Sequence, residues 1–391
     1  MQLTVIIVSY NVKFYLEQCL YSILAACKNI TTEIIVIDNA SADRSLAYLQ
    51  PKFPQVNFIK NEVNTGFAKA NNKALLTAKG KYVLYVNPDT ILPEDILVNC
   101  ISFLNDHNEA GAVGVKMLDG NGNFLPESKR SFPSVKASFF KLSGIAGLFP
   151  HSPVFNKYAL GNLDENTVYE VEVLAGAFLI SRKEILLALN GFDEDFFMYG
   201  EDIDLSYRIK KAGYRNYYLG NNVIVHFKGE STKNDSTYIK NFYEAMQIFV
   251  RKHYSRASSL LIEPAVHIAA FMAASLQKMN KIFAAGKKQL NKEFILAGDA
   301  EAVDSAAIIL KHNGYLYKIL TGEWEVIIHT LAEDSVAYNL VFCLNNTGYA
   351  NCIQFIKNNK NRFGVYWHYK NAECILSGSN VTAIPQIYIH M

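Results

Sequence analysis

The chain is 391 residues long and half hydrophobic, with 38 Lys and Arg against 36 Asp and Glu for a formal net charge of +2. That length supports a large domain plus a smaller one, and near-neutrality excludes a nucleic-acid binder that works through a strong basic field. Six scattered cysteines with no CxxC pair point to reduced, partly buried thiols of a cytoplasmic protein, not to a disulfide or metal framework.

The start, MQLTVIIVSYNV, lacks the basic opening, long apolar region and small-residue cleavage site of a signal peptide. Within it, residues 3–8 form the continuous apolar run of a buried parallel strand. Leu16, Cys19, Leu20, Ile23, Leu24 and Cys27 follow at spacings of three and four, one apolar stripe of a helix. EIIVID (33–38) is a second strand and NFIKN (57–61) a third; a helix then runs through GFAKANNKALLTAKG, and YVLYVN (82–87) is the fourth strand. Strands alternating with helices imply right-handed βαβ units and a mostly parallel sheet. From about 115 to 170 the chain is turn-rich and irregular, punctuated by LDGNGNF, SFPS and FPHSP. VEVLAGAFLIS then reads as a strand, RKEILLAL as a helix, NGFDEDFFMYGEDIDLSYRIKKAGY as a loop entering a helix, NNVIVHFKGEST as a strand, and 236–253 as a helix.

Residues 256–290 read as a helical linker. Its most apolar window, 259–276, contains Glu263, Pro264 and His267 and falls short of an uninterrupted apolar span of about 20 residues. Packing on its own domain is favoured over contact with a membrane surface or a partner. Residues 291–391 form a second, smaller α/β unit that opens as strand, turn and helix, in a Rossmann-like manner. Its turn, Ala297-Gly298-Asp299-Ala300, lacks the glycine spacing of a phosphate cradle, which favours a packing, dimerising or docking module over a nucleotide site.

In a parallel sheet, ligands bind outside the carboxyl ends of the strands. There the first strand delivers Ser9-Tyr10-Asn11, the second Asp38-Asn39 and the fourth Asn87-Pro88-Asp89. A dinucleotide is excluded, because VSYNVKFYLEQ has no glycine for the phosphate turn. Taken singly, Asp38 and Asp89 read equally well as turn or cap residues, and His226 as a core histidine at a strand end. Glu201, Asp202 and Asp204 crowd one helix start, more acid than capping requires. Such crowding is expected to raise the carboxyl of Asp202 somewhat, which suits a general base. Asp204 stands four residues before Arg208, the spacing of an ion pair on a helix surface. The aromatics of FDEDFFMY are expected to line the acceptor side, with at least one of Phe192, Phe196 and Phe197 in the core.

Six strings in this order, VIIVSYN, EIIVIDNASAD, NTGFAKANNKAL, YVLYVNPDT, GFDEDFFMYGEDIDLSYRIKKAGY and VIVHFKGEST, resemble the inverting glycosyltransferases of family 2. The resemblance covers roughly residues 1–255, and the branch it resembles is the rhamnosyltransferase type of bacterial surface polysaccharide synthesis. It implies the GT-A fold, a Rossmann-like sheet flanked by helices. The implied activity is a metal-dependent, inverting hexosyl- or deoxyhexosyltransferase, moving sugar from a nucleoside-diphosphate donor to a hydroxyl of a glycan or lipid-linked acceptor. It places the protein in the cytoplasm or at the inner face of the membrane. In terms of residues, it implies Tyr10 packed on the nucleotide base and Asp38 bound to base or ribose. It also implies Gly66, Asn71, Asn87, Gly176 and Glu201 in substrate binding, and Asp202 as catalytic base. Asp89 and His226 would hold a divalent cation, Mn or Mg, with Gly229 and Ser231 in the loop beyond. The family's Asp-X-Asp reads Asn87-Pro88-Asp89 here, so the first acid is an amide that offers a hydrogen bond without charge, and Asp89 is the main carboxylate ligand.

Every motif assigned to the donor lies before residue 256, so the donor site is expected to be independent of the C-terminal unit. A sugar-phosphate nucleotidyltransferase, on a related sheet, would open with a glycine-rich basic loop that this chain lacks. The alternative outside catalysis is a nucleotide- or glycan-binding relative, motivated by Asn87. Metal-dependent release of nucleoside diphosphate discriminates the two. Self-association and peripheral membrane contact stay open.

Overall fold

The computed structural model describes residues 1–134, 140, 145–228, 236–253, 293–333, 339–345, 347–370 and 372–377. The linker over 256–290, with its apolar window, and Gly229 and Ser231 lie outside the described residues. Among the described residues, no helix is long and apolar enough to cross a membrane.

The first four strands form where expected, β1 at Leu3–Ser9, β2 at Thr32–Asp38, β3 at Asn57–Lys60 and β4 at Tyr82–Val86. They pair in parallel in the order β3-β2-β1-β4. All seven residues of β1 are buried, as a parallel strand covered on both faces must be. The helix carrying the apolar stripe spans Lys13–Ala26, and the helix after β3 spans Phe67–Leu75.

Beyond β4 the sheet turns mixed. β5 (Thr90–Ile91) leaves the β4 exit, β6 (Ala110–Leu118) follows the helix Ile96–Asp106, and β7 (Val168–Val171), β8 (Phe178–Arg182) and β9 (Arg215–His226) complete it. The path runs β4-β8-β6-β9-β5, with β7 on β9. β8 is antiparallel to both of its neighbours and β6 is parallel to β9. Two sequence expectations are corrected here. The region expected to be irregular from 115 contains the last part of β6. Its strand signal is diluted by Gly111 and Gly114, where a Cβ would stand 2.4 Å from Ile209 and 2.9 Å from Leu174; a glycine inside a strand marks such close approaches. The single strand expected over VEVLAGAFLIS is two strands. The break lies where Leu174 N–H turns to Ser206 Oγ and Gly176 N–H to Asp202.

Residues 293–377 form the second unit, with β10 (Glu293–Gly298), β11 (Leu316–Thr321), β12 (Asn339–Leu344), β13 (Gly364–Tyr369) and β14 (Leu376–Ser377) in the order β11-β10-β12-β13-β14. The first four are parallel, and helices Ala300–His312, Trp324–Glu333 and Tyr349–Asn358 connect them. The two units share one apolar cluster that joins Tyr15, Ile91, Val225 and Phe227 to Phe342, Trp367 and Leu376. Tyr21 stacks on Tyr369 with ring centroids 3.4 Å apart. All six cysteines are buried and unpaired.

The pairing of Asp204 with Arg208 forms, with Nε donating to Oδ2 at 2.6 Å, but not on the surface. Asp204 is fully buried, because His253 from the helix Ser236–His253 closes over it with Nε2 2.6 Å from Oδ1. Arg208 also donates to the carbonyls of Leu189 and Gly191. Removing one charge from such a buried set costs far more than losing an exposed pair. We therefore expect Asp204→Asn to lower unfolding free energy by about 3 kcal/mol. Urea denaturation measures this, and a loss of only a few tenths would mean that the set is solvated.

Candidate active site

The carboxyl edge of the first sheet opens on a cavity of about 990 Å³, the size of small-molecule sites. Tyr10, directly after β1, is 37% exposed and lines it. Asp38 ends β2 behind the lining. Its Oδ2 accepts from Ser41 N–H at 3.2 Å, while Oδ1 is buried and has no partner among the described residues. Asn39 organises the neighbouring loop: Oδ1 accepts from Asn61 Nδ2 and Thr65 N–H, and Nδ2 donates to Asn64 Oδ1 and Gly66 O. Gly66, at φ +83°, comes so close to Phe197 that a Cβ would stand 2.6 Å from its carbonyl. Asn71 donates to Phe67 O within its own helix. Gly66 and Asn71 are therefore placed behind the cavity wall, not on it.

Asn87, Asp89 and His226 stand together on the wall. The backbone puts them there, because Thr90 pairs with His226 across β5 and β9, and Phe227 N–H donates to Asp89 O at 3.0 Å. His226 Nε2 lies 3.3 Å from Asp89 Oδ1 and 3.4 Å from Asn87 Nδ2. The other ring nitrogen, Nδ1, is buried and has no partner among the described residues. Glu127, on the same wall, pairs with Lys228 at 2.5 Å. Burial works to raise the Glu127 carboxyl, but the Lys228 ammonium prevails and holds it below its ordinary value. A converging carboxylate and imidazole fit a divalent cation that takes its remaining ligands from a phosphate-bearing substrate. No cluster of three or more such ligands occurs among the described residues.

Glu201 and Asp202 open the helix Glu201–Lys211 and line the same cavity. Asp202 Oδ2 accepts from Arg130 at 2.6 Å and from Gly176 N–H at 3.1 Å, and Oδ1 accepts from Ile203 N–H at 2.8 Å. A Cβ at Gly176 would stand 3.4 Å from the Asp202 Cβ and 3.9 Å from Glu201 Oε1, so glycine keeps the space beside both acids clear. Burial opposes the charge of Arg130, but Asp202 and Tyr158 outweigh it and push its pKa upward. The raised carboxyl is that of Glu201: burial first, then the adjacent Asp202, lift it to about 8, and its buried Oε2 has no partner among the described residues. Phe192 and Phe196 are core residues, Phe197 is half exposed, and Met198 and Tyr199 supply the wall.

Three wall residues escaped the sequence reading. Arg130 and Glu127 lie in PESKR, a stretch whose only signal was charge in a turn-rich region, and Lys228 follows the strand end by two residues. Arg130 is delivered by an isolated antiparallel bridge to Val173, a pairing across more than forty intervening residues that no local pattern announces.

The sequence profile of "Glycosyl transferase family 2" matches residues 4–167. The chain is similar to the rhamnosyltransferase WbbL of Escherichia coli K12, 30% identical over 222 residues that cover 55% of this chain and 79% of that protein. It is also similar to the N-acetylglucosaminyl-diphospho-decaprenol L-rhamnosyltransferase of Mycobacterium tuberculosis, 24% identical over 265 residues that cover 65% of this chain and 85% of that one. Superposition on S. aureus TarS 1-349 in complex with UDP-GlcNAc gives a TM-score of 0.47 at 20% identity, covering 69% and 73% of the two chains.

The raised Glu201 carries a linkage consequence. A carboxyl whose folded pKa lies above its unfolded value leaves stability intact at low pH and removes it as pH rises from the unfolded value through the folded one. Here the window runs from the ordinary value of 4.5 to about 8. Glu201→Gln abolishes that term, so the variant should gain stability relative to the parent as pH rises through this window. Urea midpoints at about pH 4 and about pH 9 measure the difference, and parallel pH curves for the two proteins would refute the shift.

Proposed function

The chain belongs to glycosyltransferase family 2, with its GT-A fold, and from that premise we propose an inverting, metal-assisted transfer. A hexosyl or deoxyhexosyl group would pass from a nucleoside-diphosphate sugar to a hydroxyl of a glycan or lipid-linked acceptor in surface polysaccharide synthesis. The observation that carries this reading is one cavity lined both by Asp89 with His226 and by Glu201 with Asp202. A single displacement needs both groups, one for the charge on the leaving diphosphate and one for the acceptor proton.

On the donor side, the exposed ring of Tyr10 offers a face to the nucleotide base, and the unpartnered Oδ1 of Asp38 an acceptor for an N–H of the base or a ribose hydroxyl. Asn87 adds an uncharged hydrogen bond. Gly66 and Asn71 act indirectly, by shaping the loop and helix behind the site. Asp89 and His226 would hold the cation, Mn or Mg. When bound, the cation supplies Lewis-acid neutralisation of the phosphate oxygens.

On the acceptor side, Oδ2 of Asp202 already accepts from Arg130 and Gly176, whereas among the described residues Oδ1 accepts only from Ile203. A carboxylate oxygen takes about two hydrogen bonds, so Oδ1 is the atom left to receive the proton. The acceptor oxygen forms its bond to the sugar as the bond to the leaving phosphate oxygen breaks. The electron pair goes to the diphosphate and the proton to Asp202. Arg130 fixes the base through its bond to Oδ2. Glu201, lifted to about 8 by burial and then by Asp202, is suited to donate a hydrogen bond to a sugar oxygen when protonated.

The name of the mycobacterial relative specifies a diphospho-decaprenol acceptor, which supports a lipid-linked acceptor met at the inner face of the membrane. We take residues 1–255 as the transferase domain and 291–391 as a second unit whose described part packs against it.

Asp202→Asn keeps shape but accepts no proton, so turnover should fall about a hundredfold or more while donor affinity holds. Near-normal transfer by that variant would move the role elsewhere. Asp89→Ala should abolish manganese-dependent binding of nucleoside diphosphate in calorimetry, and Asn87→Asp should tighten it or leave it unchanged.

A further inference from the structure

We propose that the C-terminal sheet is the supporting wall of the cation site, and that Trp367, acting through Phe227, is a positioning residue for Asp89 and His226. The inference rests on the cation reading above. It begins with the size of β5. Two residues, Thr90 and Ile91, make two ladder pairs with β9, too little to hold a register unaided. Successive side chains along a strand point to opposite faces. Thus His226 stands on the cavity face, while Val225 and Phe227, its neighbours in the chain, lie in the apolar cluster that includes Ile91, Phe342 and Trp367. Trp367 is fully buried, and its ring meets Phe227 edge-on at a centroid distance of 6.5 Å. Phe227 in turn donates its N–H to Asp89 O.

Two further contacts converge on the same wall. Downstream of β5, the Glu94 carboxylate accepts the N–H groups of Tyr349 and Ala350 at 2.9 and 3.0 Å, capping the helix Tyr349–Asn358 of the other unit. The segment leading to Glu127 is held as well. Asn123 and Asn361 exchange hydrogen bonds at 2.9 and 2.7 Å, and at Gly122 a Cβ would lie 2.2 Å from the Ile356 carbonyl. The segments that bear Asp89, His226 and Glu127 are therefore all fastened to the second sheet. The motifs do lie before residue 256, but their support does not.

The second sheet's own crevice is filled. Asp299 caps the helix after β10 with its own side chain, Glu94 caps the helix after β12, and Trp324 stands against both Gly298 and Gly348. Helix N-termini that already hold carboxylates are not open to a phosphate.

The experiment measures manganese binding to the full chain in the presence of inorganic pyrophosphate, by electron paramagnetic resonance of the free ion, with thermal melts to confirm folding. Loss of support around a metal ligand typically weakens affinity about 10- to 100-fold. Trp367→Ala and Gly122→Val should each fall in that range, and Trp367→Phe should recover most of the loss. If Asp89→Asn abolishes binding while folded Trp367→Ala and Gly122→Val bind as the parent does, the support role is wrong and the cation reading stands. If Asp89→Asn itself binds normally, the cation reading falls and this inference with it. Should Trp367→Ala not fold, Gly122→Val and Glu94→Ala decide by the same criterion.

Discussion

Two backbone pairs, Thr90 with His226 and Ile91 with Val225, are the constraint on which the site depends. They bring a residue that follows β4 beside one that ends β9, across more than a hundred residues of chain. Without them Asp89 would be a turn residue and His226 a strand terminus, as each reads in isolation. The ladder is short because it joins β5, a spur off the main sheet, to the far end of β9. Its register is thus set less by hydrogen bonds than by what Ile91, Val225 and Phe227 rest on.

At Glu201 and Asp202, the same helix start yields two chemically different carboxyls. Asp202 receives three donors from three segments, the loop of Arg130, the break between β7 and β8 at Gly176, and its own helix at Ile203. Glu201 is buried, with one oxygen unpartnered among the described residues, and desolvation dominates its shift. Environment, not position on the helix, sets these two neighbouring carboxyls apart.

The sheet and much of the site were legible because β1, β2 and β4 are buried on both faces and carry continuous apolar runs, and because the polar residues that stop them are conspicuous against that background. Asp204 shows where legibility ends. Its spacing to Arg208 predicts the pair, but only the remote His253 makes it buried. Glycines that serve packing hide β6, and a bridge to the break between β7 and β8 hides Arg130. In each case the missing information was a long-range contact, which local spacing does not contain.

The glycine at position 122 has a consequence for modularity. Because its missing side chain admits the Ile356 carbonyl, the catalytic half and the C-terminal unit are fitted to each other atom by atom. A chimera that joined this transferase half to the C-terminal unit of a relative would need to carry Gly122, Glu94 and Phe227 matched to the incoming surface. The contact at Gly122 thus makes the surface between the two halves a shared fit that neither half specifies alone.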